Sequence, residues 1–290
     1  VSDKHLFAFG FGSTASVLAS RLLEGGWSLS GTCRTSQKEV DLRDAGISAH
    51  LFSDEVRLPA QALEGATHIL ISIPPSIEGD PVLMTLRAAL VAHRNTIEWI
   101  GYLSTTGVYG DRAGGLVDET MAMAPTSDRG RRRQLAEEAW FDLGRDMDVP
   151  VQTFRLAGIY GPGRNQIASL RAGKARRIVK PGHVFSRIHL EDIASVLEAS
   201  IARPNAGAAY NVCDDESAPP QDVVAFAADL IGVAPPPEIP SEKADLSPMA
   251  KSFYAESKRV SNDRIKTELG VVLRFPTYRE GLRDLAEKGE

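Results

Sequence analysis

The sequence predicts an α/β fold, a doubly wound parallel sheet with helices on both faces. Three observations predict it. Short apolar runs alternate with helical patterns through the first half of the chain, and such alternation builds parallel sheets covered by crossover helices. The first run, His5–Phe9, stops at the glycine-rich turn Gly10-Phe11-Gly12-Ser13-Thr14-Ala15, which opens a helix. The 290 residues, 43% hydrophobic and 24% charged, suffice for a sizeable core.

The elements follow in order. Residues 14–23 carry Ala15, Val17, Leu18, Leu22 and Leu23 at helical spacing, and Gly25-Gly26 supplies a stop. Residues 27–32, 48–52 and 68–73 read as strands, the last ended by Pro74-Pro75. Asp80-Pro81 is an N-cap followed by proline at the first helical position, opening a helix with Leu83, Leu86, Leu90 and Val91. Residues 99–103 form a fifth strand and 128–143 a helix with Leu135, Ala139 and Phe141 on its inner face. Val151–Leu156 is a sixth strand. Beyond Gly158 the rhythm loosens: 165–172, 191–201, 221–231, 262–269 and Tyr278–Glu287 read as helices, and Ala209–Val212 as a short strand. Pro235 to Pro240 reads as a stiff extended spacer. The expected division is 1–160, a dinucleotide-binding domain, and 161–290, a mixed segment in which a small substrate subdomain is interleaved with a return to the sheet.

Composition excludes several function classes. A formal net charge of −5 argues against bulk nucleic-acid binding. No apolar run is long enough to span a bilayer, and Val1-Ser2-Asp3-Lys4-His5 lacks the charged-then-apolar pattern of a secretory leader. Cys33 and Cys213 are far apart and outside any CxxC, so no metal site or disulfide framework is expected, and a reducing cytoplasm is.

The glycine turn carries the first functional expectation. Gly10 permits the sharp turn, Gly12 lets the backbone approach a pyrophosphate, and Ala15 lets helix and strand pack closely. The helix start then offers the N–H groups of Ser13, Thr14 and Ala15 to the anion. This is the Rossmann arrangement, with Phe11 completing the turn. The end of the second strand reads the adenosine ribose, and an acidic residue there favours NAD. Here it reads Cys33-Arg34-Thr35-Ser36-Gln37-Lys38. Arg34, with Ser36 beside it, suits a 2′-phosphate, so NADP is the expected cofactor and NAD the alternative. Ile73 and Pro74 line the cofactor from the end of the fourth strand.

The chain resembles the extended short-chain dehydrogenase/reductase superfamily, the NAD-dependent epimerase/dehydratase group, and its atypical members above all. Beside the glycine turn, the likeness rests on Tyr102-Leu103-Ser104-Thr105-Thr106-Gly107-Val108-Tyr109-Gly110, on Arg155-Leu156-Ala157-Gly158-Ile159-Tyr160-Gly161-Pro162-Gly163, on Arg187-Ile188-His189-Leu190-Glu191-Asp192, on Tyr210-Asn211-Val212 and on Lys258-Arg259-Val260-Ser261-Asn262. The resemblance implies a Rossmann-type sheet and a small C-terminal substrate subdomain. It implies that Thr105 faces nicotinamide and substrate, and that Ala157, Gly158 and Ile159 run past the nicotinamide. Its redox members use a Tyr-x-x-x-Lys on the helix after the fifth strand. That stretch here is Arg129-Gly130-Arg131-Arg132-Arg133, with Glu137 following. Arg129 stands at the tyrosine position and Arg133 at the lysine position, where it can contact the ribose. A guanidinium, with a pKa above ~12, is no base near neutrality. Thr105, Tyr109 and Arg129 are the candidate catalytic residues. Tyr254 to Lys258 matches Tyr-x-x-x-Lys literally, but lies in the C-terminal part and reads as structural. His189 reads as a hydrogen-bonded structural histidine, and Glu191 and Asp192 as helix-start acids. Arg129–Arg133 with Lys174, Arg176, Arg177 and Lys180 form a basic rim or a solvated face.

The expected function is an NADP(H)-dependent oxidoreductase or epimerase acting on a small, nucleotide-sugar-like or otherwise anionic substrate. The alternative is a non-catalytic NADP(H) sensor. A homodimer through the helices at 81–95 and 128–143 is the arrangement that the resemblance implies.

Overall fold

The computed structural model describes residues 4–290; Val1, Ser2 and Asp3, on which part of the leader reading rests, lie outside the described residues. In order, the elements are β1 (His5–Phe9), α1 (Ser13–Glu24), β2 (Ser28–Cys33), α2 (Ser36–Asp44), β3 (Ser48–Leu51), β4 (His68–Ile71), α3 (Pro81–Ala92), β5 (Trp99–Thr105), β6 (Leu116–Val117), α4 (Asp128–Met147), β7 (Val151–Leu156), β8 (Gly158–Tyr160), α5 (Gln166–Arg171), β9 (Arg177–Val179), β10 (Arg187–His189), α6 (Leu190–Ala202), β11 (Ala209–Val212), α7 (Pro220–Leu230), β12 (Glu238–Pro240), α8 (Pro248–Ala255), β13 (Arg259–Val260), α9 (Asp263–Thr267) and α10 (Tyr278–Glu287). The chain divides into two compact units. The first holds the described residues to 104, Arg132–Phe154 and Ala194–Tyr210; the second holds Thr105–Arg131, Arg155–Ile193 and Asn211–Glu290.

The first unit is built on a seven-stranded sheet of order β11-β7-β5-β4-β1-β2-β3. β1 pairs in parallel with β2 and β4, β2 with β3, and β4 with β5. After β3 the chain crosses back to the other side of β1, the switch at which doubly wound sheets bind ligands beyond their strand C-termini. Strand alternation settles what covers each face. Phe7, Phe9, Ile69, Ile71, Ile100 and Tyr102 pack with Val82, Leu86 and Leu90 of α3 and with Ala136, Trp140, Leu143 and Met147 of α4. Their neighbours face the other way. Trp99, fully buried, donates its indole N–H to Gln152 Oε1 (2.8 Å) and Ser200 Oγ of α6 (3.0 Å). On that face Arg21 of α1 reaches Glu198 of α6 at 2.8 Å. Both faces are covered, as a sheet of near-continuous apolar strands requires.

One sequence expectation needs correction here, and two segments gain detail. The inner stripe of α4 runs through Ala136, Trp140, Leu143 and Met147, with Phe141 partly buried against the same core as expected, whereas Leu135 is 64% exposed and Ala139 is half-buried. The large indole fixes this register: Trp140 packs against Tyr102 and donates to Asp80 Oδ2 at 3.1 Å. The stretch after Thr35 is a helix, α2, with one buried residue, Leu42. The Pro235 to Pro240 segment ends in the extended strand β12, which pairs in parallel with β9.

The second unit is held by short strand pairs, β8 with β10, β9 with β12 and β6 with β13. A core of Tyr160, Ile167, Ala218, Val223, Ala227, Tyr278, Leu282 and Leu285 joins β8, α5, α7 and α10. Asp192, fully buried, anchors the chain before α10 by accepting the N–H groups of Arg274 (2.6 Å) and Phe275 (3.1 Å).

Candidate functional site

In the first unit, β1 ends at Gly10, whose φ of +88° suits glycine alone without strain. A Cβ there would lie 3.0 Å from Ile73 Cγ1, so the turn backs onto the segment after β4. Thr32, on β2, latches the turn. Its Oγ1 accepts the Gly10 N–H at 2.9 Å and its carbonyl the Phe11 N–H at 3.0 Å. The Phe11 ring fills the space over Gly31, where a Cβ would come within 2.7 Å of it. Gly12 caps α1 with no side-chain hydrogen bond, and nothing lies within 4 Å of where its Cβ would be. The first bond of the helix ladder is Ser16 N–H to Gly12 O. The N–H groups of Ser13, Thr14 and Ala15 therefore have no acceptor within the helix. Gly12 and Ser13 are exposed, and Ala15 is fully buried where α1 packs on the sheet. An open turn, unpaired N–H groups and a positive helix end fit a dinucleotide pyrophosphate.

The structure brings Gly10, Phe11, Gly12, Ala15 and Ile73 together around this turn, with Pro74 exposed beside it. Arg34 follows β2 directly and is exposed. Thr35 caps α2 by accepting the Lys38 N–H at 3.3 Å, and Ser36 is the exposed first residue of that helix. Below the end of β5, Arg133 is buried. Its Nη1 donates to the Leu103 carbonyl, and its guanidinium lies 5.7 Å from the Tyr102 ring centre. Ser104 donates to Glu137, both buried, fastening β5 to α4. Asp80, buried at the head of α3, accepts the N–H groups of Val82 (3.0 Å) and Leu83 (3.1 Å); burial pushes its pKa up.

In the second unit, Thr105 is half-buried and its Oγ1 accepts the Gly107 N–H at 3.2 Å, which leaves the hydroxyl proton for another acceptor. Tyr109 is fully buried. Its hydroxyl donates to Asn211 Oδ1 and accepts from Arg155 Nη1, each at 2.8 Å, and burial raises its pKa. Arg129 is exposed on the first turn of α4. Ala157 donates to the Val212 carbonyl (3.1 Å) and Gly158 to Ser186 O (3.0 Å); Ile159 pairs with Ile188. Gly158 is exposed, and a side chain there would meet Ser186 O and Arg187 Cγ.

Tyr254 and Lys258 are not partners in one helix, because α8 ends at Ala255. Lys258 instead pairs with Glu256 at 2.9 Å, both largely buried. His189 is buried and accepts the Glu191 N–H at Nδ1 (3.1 Å); burial lowers its pKa to about 4, so it stays neutral. Sequence reading passed over Asp214. It is 2% exposed, and burial drives its carboxyl up to about 8. The only sequence signal was a pair of acids, Asp214-Asp215, directly after a strand.

Among the described residues, no group of three His, Cys, Asp or Glu side chains is placed to hold a metal, and no helix is long and apolar enough to cross a membrane.

Comparison with known proteins extends the same outline. A structure of a conserved protein of unknown function from Silicibacter pomeroyi is 51% identical and superposes with a TM-score of 0.91, covering 99% of each chain. UDP-glucuronic acid 4-epimerase from Bacillus cereus, solved with UDP-glucuronic acid and NAD, shares the fold at 16% identity and a TM-score of 0.77 over 98% of this chain and 99% of that one. A 3-diazoavenalumate denitrifying reductase from a Streptomyces species is 29% identical over 146 residues; the match spans 47% of this chain and about half, 47%, of that protein. The model of the NAD-dependent epimerase/dehydratase family matches residues 10–213, from the glycine turn to the end of β11. The glycine turn, the strand order and this match over most of the chain agree, and the chain belongs to the NAD-dependent epimerase/dehydratase family.

Proposed function

We propose that this chain binds NADP(H) and transfers hydride to or from a small anionic substrate, as an oxidoreductase or epimerase without the usual tyrosine relay. The observation that carries the reading is the latched turn at Gly10, with Arg34 exposed two residues beyond the latch residue Thr32. Gly10, Phe11, Gly12, Ser13, Thr14 and Ala15 hold the pyrophosphate. Arg34 and Ser36 hold the 2′-phosphate, since a guanidinium makes charge-assisted bonds to phosphate and no carboxylate stands in the Cys33–Lys38 stretch to repel it. Ile73 and Pro74 line the adenosine side. Bound, the nicotinamide supplies or accepts the hydride. Thr105 donates its free hydroxyl proton in a hydrogen bond to the substrate oxygen.

The structure supports narrower roles for the remaining candidates. A buried tyrosine whose hydroxyl both donates and accepts is a scaffold, so Tyr109 positions β11 rather than exchanging protons. Arg133 holds the end of β5 through Leu103 and presents its charge to the ribose. Arg129, exposed, meets anions at the rim. Exposed Met84 on α3 and Leu135 on α4 support the homodimer expectation, and two free buried thiols support a reducing, cytoplasmic setting.

Titration of the purified chain with NADPH and NADH, followed by nicotinamide fluorescence, tests the cofactor reading. NADPH binds more tightly, and Arg34→Glu removes that preference by roughly tenfold or more, the worth of one charge-assisted contact. Equal affinity for the two, or none, overturns it. The second reading, a sensor that binds without turnover, is favoured by the arginine at position 129; steady NADPH oxidation with a panel of carbonyl acids decides against it.

A further inference from the structure

The strand β10 carries one charged side chain, Arg187, to which the roles above assign nothing. It is half-buried. Its Nη1 donates to two main-chain carbonyls, Phe185 O at 3.0 Å and Ala218 O at 3.1 Å. Its guanidinium lies 6.0 Å from the Tyr278 ring centre. The strand register sets it opposite Gly158, where the missing side chain leaves the stem of the arginine uncovered. Among the described residues, no carboxylate comes within 4.0 Å of its nitrogens as an ion-pair partner. Burial works against its charge, and Asp214 is the acid that most supports it. Burial pushes the Asp214 carboxyl up to about 8, which weakens its hold on the cation near neutral pH.

A half-buried guanidinium, fixed at one nitrogen and without an ion pair among the described residues, is prepared for an anion. Its remaining edge can give two parallel N–H bonds, the geometry of a carboxylate. One cation beside a buried acid balances a single negative charge, which favours a monoanion over a phosphate dianion.

We propose that Arg187 anchors the substrate through a carboxylate, bound on the open edge of its guanidinium beside Gly158. This rests on the reading of the chain as an enzyme with an anionic substrate, and it narrows that substrate to a carboxylic acid.

Benzoate, with benzamide and phenyl phosphate as its uncharged and dianionic counterparts, is the probe. Isothermal titration into the full chain with NADPH present gives benzoate affinity for the wild type, Arg187→Gln, Arg187→Lys and a surface control, Arg283→Gln. Benzoate binds the wild type and the control equally. Arg187→Gln loses roughly tenfold or more, Arg187→Lys loses less, and benzamide does not compete. NADPH affinity stays unchanged in all four proteins. Because substitution at a half-buried site can unsettle the fold, a second measurement uses the wild type alone. Phenylglyoxal modification of Arg187, mapped by mass spectrometry, slows in benzoate and not in benzamide. Benzoate affinity indifferent to Arg187→Gln, absence of protection, or phenyl phosphate binding tenfold tighter than benzoate each overturn the proposal. Failure of NADPH to bind while benzoate still protects Arg187 overturns the cofactor reading alone.

Discussion

The turn after β1 and the first two turns of α4 differ in what they are made of. The first is built almost wholly from backbone. A positive φ at Gly10, a carbonyl and hydroxyl latch from Thr32, and three N–H groups without helical partners make it. The second depends on which side chains stand at two positions, and here both are arginine. A backbone device survives most changes around it, whereas a device made of side chains is altered by a single substitution. Binding and chemistry can therefore part company within one fold.

Four substitutions press on that contrast. The largest effect belongs to Gly10→Val. It forces a branched side chain to φ +88° and to 3.0 Å from Ile73, costing about 2 kcal/mol or more. The unfolding midpoint drops and the NADPH fluorescence signal disappears; intact binding would break the claim that backbone geometry makes this site. Tyr109→Phe comes next. Arg155 and Asn211 lose the hydroxyl they share, at a cost of about 1–3 kcal/mol. Stability falls in a denaturant melt while turnover per folded molecule holds, and a selective loss of turnover would return Tyr109 to the chemistry.

Third is the pH response of Asp214. Around it stand Arg187, which lowers its pKa, the Glu216 N–H, which does the same, and Asp215 and Glu216, which raise it. Its carboxyl binds a proton more tightly folded (about 8) than unfolded (3.8). Its contribution to stability is therefore fully present below about pH 4 and lost as pH rises through about 8. Asp214→Asn removes that part of the decline, and benzoate affinity in the variant no longer weakens above about pH 8. A wild-type decline unchanged by the substitution would place the titrating group elsewhere. The smallest effect is expected of Arg129→Ala, exposed on its helix: within about 0.5 kcal/mol in stability. A hundredfold fall in turnover from so quiet a change would show that the arginine had taken over a chemical task.

How much was legible in the sequence follows from the range of the forces involved. The strands of the sheet and the Asp80-Pro81 helix start announced themselves through local apolar runs and a capping residue. α2 did not, because it buries only Leu42 and so carries no apolar stripe; Thr35 as its cap was the one available sign. In α4 the charged first turns hid the phase, and Leu135 looked inward until the burial of Trp140 set the register. The strands of two or three residues in the second unit are too short to show a period at all. At the site, the glycine turn was readable because its logic is local. The saturation of Tyr109 and the setting of Arg187 beside Gly158 and Asp214 were not, since they join residues far apart in the chain.

The Thr32 latch has a consequence for redesign. One residue, through its hydroxyl and its carbonyl, ties the glycine turn to the strand that leads into Arg34, with no charge taking part. The exposed end of that strand can then be rewritten, arginine to acid, while the turn keeps its shape. Under the proposed reading, cofactor choice becomes an exchangeable tip on a fixed handle, and Thr32→Val is the change that would loosen the handle and leave the tip alone.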